Sequence, residues 1–222
     1  MVELIKSIAD WSEVWALLIP LAILFFKKKQ PVFSKPVVAY IWVALIINTI
    51  IDTVWKLKLV LPPPYNTNNY LYNLHSVIRL LLFSSFFIRL NQPFLSRTKR
   101  VVPFVFLALV LINFSFYQNF FDYGHLSSRL LSFEAVIMMF YCMQYYLFKI
   151  TEDEEPGKKQ PDFWIVTGIG IYYTVNFFIF LLYNQLTLRL HNFAISLWNI
   201  HNFTYTILCI FIAKGLYESN ER

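Results

Sequence analysis

Charged residues are scarce in this sequence. Only 14% of its 222 residues are Asp, Glu, Lys or Arg, whereas 58% are hydrophobic. Soluble globular domains have about a quarter charged residues and about half apolar residues. Such a low polar content excludes an ordinary soluble enzyme or binding domain, and it is typical of a protein embedded in a lipid bilayer.

Glycine and cysteine are also rare. The chain has five glycines, and long apolar runs replace the alternating segments of about ten residues that a transmembrane β-barrel requires. We therefore predict an all-α integral membrane protein. Its two cysteines, Cys142 and Cys209, fall within apolar runs and do not indicate a disulfide framework. Gly168 and Gly170 are expected to allow close helix packing.

Apolar windows long enough to cross a bilayer, about 20 residues each, occur seven times. We predict one seven-helix transmembrane domain covering residues 1–222, with spans at about 9–26, 37–55, 70–88, 101–119, 129–148, 163–183 and 193–213. Pro20 is expected to bend or start a helix in the first span. The first run is not expected to be a cleavable signal peptide, because acidic residues precede it and lysines follow it.

Basic residues alternate between the loops on the two sides. Cytoplasmic loops are enriched in Lys and Arg, and 13 of the 19 basic residues lie on one side, namely Lys27, Lys28, Lys29, Lys35, Arg89, Arg97, Lys99, Arg100, Lys149, Lys158, Lys159, Lys214 and Arg222. This bias predicts an outside N-terminus and an inside C-terminus. The net charge of +6 then reflects loops that face anionic lipid, so nucleic acid is not an expected partner.

A short pattern is repeated in the third and seventh spans. The sequence LYNLH ends at His75, and LWNIH ends at His201, 126 residues later. That offset equals four spans, so both helices run in the same direction. The pattern indicates a 3+1+3 arrangement of two parallel three-helix units joined by the fourth span, although chance similarity between two aromatic-rich helices is the alternative.

Polar residues within the spans are candidates for a functional site, because an ionisable group at mid-helix costs about 2.5–3.5 kcal/mol on insertion. In the predicted orientation they share the outer half of the bilayer, and we expect them to line an outward-facing cavity: Asp52, Asn73, His75, Arg79, Glu134, Asn176, Asn199 and His201. Arg79 requires a carboxylate partner, which Asp52 or Glu134 could supply. Glu13 is expected to lie close to the surface. The alternative for both histidines is a packing role between helices.

Metal and cofactor chemistry has little support. The four histidines, at positions 75, 125, 191 and 201, show no HxxxH spacing. A metal site would require Asp52, His75, Glu134 and His201 to converge. The seventh span has no lysine before Lys214 to form a retinal Schiff base. We therefore expect no catalytic residues, no metal and no cofactor.

Three segments carry a resemblance: YNLHSVIRLLLFSSFF, PDFWIVTGIGIYYTVNFFIFLLYN and LWNIHNFTYTILCIFIAKGL. They resemble a group of small bacterial seven-helix membrane proteins whose third, sixth and seventh spans have an LYNIY-like start, a DPLFWIS…YY…N stretch and an LWxIxN…Y stretch. Genes of that group often neighbour sensor histidine kinases. The resemblance implies a location in the bacterial inner membrane and a signalling association, but it brings no established site residues.

These observations predict a receptor-like membrane sensor or signalling-accessory protein that takes a small extracellular ligand and passes a helix shift to a partner such as a histidine kinase. A facilitative transporter is the main alternative. The 3+1+3 pattern is similar to that of SWEET-type transporters, where Asn73 and Asn199 would be the substrate-gripping residues. An intramembrane metal-dependent enzyme is a third reading.

Overall fold

A computed structural model of the protein describes residues 10–63, 65–122, 125–151 and 160–219. These residues form helices, turns and loops with no strand, which confirms the predicted all-α class. The helices are α1 (Ser12–Trp15), α2 (Leu18–Phe26), α3 (Lys35–Lys56), α4 (Asn69–Arg89), α5 (Ser96–Phe116), α6 (Ser128–Thr151), α7 (Pro161–Arg189) and α8 (His191–Glu218). The first residue of the predicted first span and loop residues 152–159 lie outside the described residues.

Six helices, α3 to α8, are long and apolar enough to cross a membrane. They include α4, the span that its polar residues made weakest in the sequence. The segment Ser12–Phe26, which contains α1 and α2, is apolar but shorter than the other six. Six membrane-length helices and one shorter apolar segment in the described residues make the chain a multi-pass membrane protein.

The first apolar segment is two helices rather than the single span expected from the sequence. In a continuous helix the carbonyl of Ala16 would accept a bond from residue 20, but that residue is proline and has no N–H. The amide of Ile19 donates to Ala16 instead, at 3.2 Å. Pro20 thus explains the break between α1 and α2, in agreement with the expectation that it would bend or start a helix.

The helices form a ring around a buried core. Neighbours around the ring are α3 with α4, α4 with α6, α6 with α7, α7 with α8, and α8 with α2. Helix α5 lies outside this ring, where it contacts α4 and α6. Only 17% of its apolar window is buried. Helix α5 contributes few side chains to the core, among them Phe106, which is completely buried.

One end of the bundle is rich in lysine and is called here the lysine end. It contains Lys27 to Lys29 and the C-terminal end of α8. Lys27 donates to the Tyr217 carbonyl, Gln30 Nε2 donates to the Leu216 carbonyl at 3.4 Å, and Ser219 Oγ donates to Gln30 Oε1 at 2.6 Å. These bonds attach the end of the first apolar segment to the last helix.

Helices α7 and α8 make the closest pair, joined by Leu190 alone. A Cβ atom at Gly168 would lie 2.6 Å from Phe211 Cβ, and one at Gly215 would lie 2.5 Å from Ile165 Cγ1 and 2.7 Å from the Pro161 carbonyl. Gly168 was expected to allow such packing, whereas Gly215 was not singled out. At Gly170, the other glycine expected to do so, an added Cβ would meet Cys142 at an ordinary 3.8 Å.

Replacing Gly168 or Gly215 with alanine should lower the apparent melting temperature in detergent, because the helices must separate to admit a methyl group. Overpacking of this kind typically costs about 1–3 kcal/mol. Gly170→Ala is the matched control, since it adds the same methyl group to the same helix without a clash. Equal stability of all three variants would contradict the close packing of α7 on α8.

Candidate functional site

The polar residues of the spans meet in one buried group, called here the polar cluster. It contains Glu13 of α1, Tyr72, His75, Ser76 and Arg79 of α4, Glu134 of α6, Tyr172, Tyr173 and Asn176 of α7, and Trp198, His201 and Thr204 of α8. Helical spacing places Tyr72, His75 and Arg79 on one face of α4, and all three line the same cavity. The cluster thus draws on five helices that are far apart in the sequence.

Arg79 and Glu134 form a bidentate pair in the cluster. Arg79 Nε donates to Glu134 Oε1 at 2.6 Å, and Arg79 Nη2 donates to Oε2 at 2.8 Å. Arg79 Nη1 donates to the Tyr172 hydroxyl at 2.9 Å. Ser76 and Tyr173 also donate to the carboxylate, which is completely buried. Because four donor atoms surround this carboxylate and two of them belong to the charged guanidinium, the ion pair can be accommodated within the membrane core.

Glu13 is the second buried carboxylate, and its burial corrects the expectation that it would lie close to the surface. Only 5% of the residue is exposed. Its Oε1 lies 2.8 Å from His201 Nε2, and its Oε2 accepts a bond from the Tyr72 hydroxyl at 3.0 Å. The Glu13 carbonyl accepts a bond from Asn48 Nδ2 at 3.0 Å. Glu13 therefore attaches α1 to three membrane-length helices at once.

The hydrogen-bond partners of His201 show which of its ring nitrogens carry a proton. Asn176 Nδ2 donates to the Tyr172 carbonyl at 2.7 Å and to Thr204 Oγ1 at 2.8 Å, so Asn176 Oδ1 is the atom that faces His201 Nδ1, at 2.6 Å. That oxygen can only accept, so Nδ1 carries a proton. A further proton lies between Nε2 and Glu13, either on the imidazole or on the carboxyl group. In both cases the Glu13–His201 pair is neutral as a whole.

A small cavity lies between the two pairs. Glu13, His75, Arg79 and His201 contribute its polar lining, and Tyr72, Leu131, Phe180 and Trp198 complete it. Its free volume of about 10 Å³ is room for about one water molecule. The cavity that these residues line is therefore small, and the open, outward-facing cavity expected from the sequence stays a prediction.

An aromatic layer separates the polar cluster from the lysine end. Tyr40 and Phe83 pack with ring centroids 4.5 Å apart, and Phe87 stacks on Tyr141 at 4.9 Å with an angle of 6° between the planes. Each of these four side chains is 1% exposed or less. The layer therefore places close-packed aromatic rings between the cluster and the lysine end.

Three of the predicted site residues lie outside the polar cluster. Asn73 is buried, but its Nδ2 donates to the Phe120 carbonyl at 2.8 Å. Asn199 is exposed on the outer side of α8. The two asparagines of the repeated pattern therefore differ in environment, one buried and the other exposed. Asp52 is buried near the end of α3 and lies close enough to Glu13 and Lys56 to interact with their charges, but it is not bound to Arg79.

Several cluster residues were not among the predicted ones. Tyr172 and Tyr173 precede Asn176 by four and three positions on α7, so helical spacing from that asparagine could have found them. Glu13 had no such signal, because its depth depends on where the short helix α1 packs.

Metal ligands do not assemble in the part of the chain that the structure describes. No group of three or more His, Cys, Asp or Glu side chains there could hold a metal ion. The four residues that a metal site would have required are divided: Glu134 is bound to Arg79 and His201 to Glu13.

Comparisons with protein-family models, curated proteins and solved structures found no match to this chain. The functional interpretation therefore rests on the geometry of the polar cluster.

Replacing Arg79 with alanine should lower the free energy of unfolding by about 3–5 kcal/mol, the usual cost of leaving one member of a buried ion pair without its partner. Adding Glu134→Gln to Arg79→Ala should recover part of the loss, because it removes the stranded charge. Thermal unfolding in lipid nanodiscs measures both effects.

Adding Asp52→Asn to Arg79→Ala is the matched control, since it removes a carboxylate that does not bind Arg79. Recovery of stability by Asp52→Asn and not by Glu134→Gln would show that the pairing of Arg79 with Glu134 is wrong.

Proposed function

We propose that the protein is a receptor-like membrane sensor, in which the polar cluster reads a small polar cue and the first apolar segment carries the response to the lysine end. One observation carries this proposal. The segment formed by α1 and α2 is bound at both ends, by Glu13 to the cluster and by Lys27 and Gln30 to the last helix.

The chemistry of the two attachments makes them suitable for a switch. At the cluster, a short helix of four residues is tied to the membrane-length helices through Glu13, so a change in its charge or partners acts on the whole helix. At the lysine end, single hydrogen bonds to backbone carbonyls connect the segment to α8. A modest shift of α2 along α8 would break them and change the arrangement of the exposed lysines there, Lys28 and Lys29, toward a partner.

The orientation proposed from the basic loops places the polar cluster toward the outside of a bacterial inner membrane and the lysine end in the cytoplasm. In this orientation the lysine end would face a cytoplasmic or membrane signalling partner. The resemblance to the small bacterial seven-helix proteins suggests a histidine kinase as that partner.

Single cysteines test this orientation. In a background with Cys142 and Cys209 replaced by alanine, Leu59→Cys should react with a membrane-impermeant maleimide in intact cells, because it is 92% exposed in the loop after α3. Lys28→Cys, exposed at the lysine end, should react only after lysis. The reverse pattern would place the polar cluster on the cytoplasmic side.

Glu13→Gln tests the sensor mechanism. Losing the charge weakens the bond to His201, so α1 should detach from the cluster and α2 should shift on α8. Spin labels at Lys28→Cys and Tyr217→Cys, in the same cysteine-free background, should then change their separation by about 2 Å, which is the scale of helix shifts in signalling proteins.

Asp10→Asn is the control for Glu13→Gln. Asp10 lies two residues before the segment, but its contact with Lys56 at 3.6 Å is exposed to solvent, and such surface pairs contribute little. An unchanged label separation in Glu13→Gln, or the same change in Asp10→Asn, would refute the proposed coupling.

Solute flux into proteoliposomes separates the sensor from the facilitative transporter. The aromatic layer beneath the cluster favours the sensor, because solute would have to pass the stacked rings of Phe87 and Tyr141. Saturable flux of a small polar solute, abolished by Arg79→Ala, would instead support transport.

A further inference from the structure

The imidazole of His75, which lines the cavity, has a buried nitrogen without a hydrogen-bond partner in the part of the chain that the structure describes. His75 is 97% buried, since its exposed fraction is 3%, and its Nε2 has no hydrogen-bond partner among the described residues. The ring is held by packing, with the Tyr40 ring nearly parallel to it at 6.2 Å and an angle of 14° between the planes. A buried polar atom without a partner is uncommon in native proteins, so this nitrogen indicates a ligand.

The size of the cavity limits that ligand to one small molecule. Its volume of about 10 Å³ is near the minimum for a single water molecule. A buried water also requires about two to four polar partners. His75, Glu13, Arg79 and His201 all line the cavity and can supply them.

We propose that this cavity binds one water molecule on His75 Nε2, and that His75 and the bound water form the proton-accepting site of the sensor. This inference rests on the proposed sensor function and names its cue, which is the proton concentration on the side where α1 lies. The proton is transferred from the bound water to Nε2, and the water regains a proton from the outer solution. His75 then becomes an imidazolium.

Charge balance explains why a proton on His75 would open the cluster. Arg79 and Glu134 cancel each other, and the Glu13–His201 pair is neutral as a whole, so the cluster is neutral while His75 is neutral. A proton on His75 adds one positive charge beside Arg79, four residues later on the same helix. No carboxylate in the described part of the cluster remains to balance it, and an unbalanced charge in the membrane core is strongly unfavourable.

The groups that face His75 from the neighbouring helices are consistent with this effect. The charged ones are Glu13 on α1, Arg79 on α4, Glu134 on α6 and His201 on α8. Asp52 is buried in the structure and interacts chiefly with Glu13, Lys56 and Asp10.

The other titratable groups near His75 are the hydroxyl groups of Tyr40, Tyr72 and Tyr172. These hydroxyl groups remain neutral over the pH range in which an imidazole titrates. The simplest response to a charged His75 is that Glu13 leaves His201 to face it, which weakens the attachment of α1.

Nitrogen-15 NMR of histidine-labelled protein in nanodiscs tests the site directly, because the chain has only four histidines. At about pH 8, His75 Nε2 should be an unprotonated, hydrogen-bonded nitrogen with magnetisation transfer from water. Toward about pH 5, the range in which imidazole changes charge, it should become protonated. The spin-label separation between positions 28 and 217 should change over the same pH range.

His75→Gln keeps a hydrogen-bonding side chain that cannot gain a proton, and it should abolish the pH-dependent change in separation. His125→Gln is the control, since that histidine is exposed and contacts Asp122 at 3.4 Å, and it should leave the change intact. A neutral His75 throughout the range, the absence of water transfer, or an unaltered pH response in His75→Gln would each overturn the proposal.

Failure of this inference can be told from failure of the sensor function. If Glu13→Gln changes the label separation while pH does not, the coupling stands and the cue is another polar molecule. If neither changes it, the proposed function fails as well.

Discussion

The bond between Arg79 and Glu134 is the interaction on which the arrangement of the core depends. An arginine in the middle of an apolar bundle must find a carboxylate at its own depth, and the bidentate geometry, with N–O distances of 2.6 and 2.8 Å, defines how α4 and α6 are rotated toward each other. With that pair in place, Tyr172 and Tyr173 of α7 have donors and acceptors to meet. The same face of α4 then points His75 and Tyr72 toward the cavity lined by Glu13 of α1 and His201 of α8.

The second pair differs in chemical character and in the elements it joins. Arg79 and Glu134 connect two membrane-length helices through a permanently charged guanidinium, whereas Glu13 and His201 connect a helix of four residues to α8 through a proton that either partner can hold. Breaking the first pair would leave a charge stranded in the core, while rearranging the second would mainly release α1. The bundle therefore combines a rigid polar contact with an adjustable one, separated by a cavity about one water molecule in size.

Packing below the cluster follows a different rule. In lipid, helices gain little from hiding apolar side chains, so they associate where small residues permit close approach and where polar groups can pair. Gly168 and Gly215 bring α7 and α8 together, and the stacked rings of Phe87 and Tyr141 fill the space between α4 and α6. This packed region lies between the cluster and the lysine end, and its close-packed rings suit the transmission of a helix shift better than the passage of a solute.

The sequence by itself determined the class of protein, the positions of the long helices and the faces on which polar residues lie, because these follow from composition and from the 3.6-residue helical period. It restricted the partner of Arg79 to two carboxylates without deciding between them. Only the tertiary structure decided that Glu134 binds Arg79, that Glu13 is buried against His201, and that Asn199 faces outward although Asn73 is buried. The helical period orders residues around one helix, but contacts between helices depend on the rotation and depth of each helix, and these are set by packing between segments that are distant in the chain.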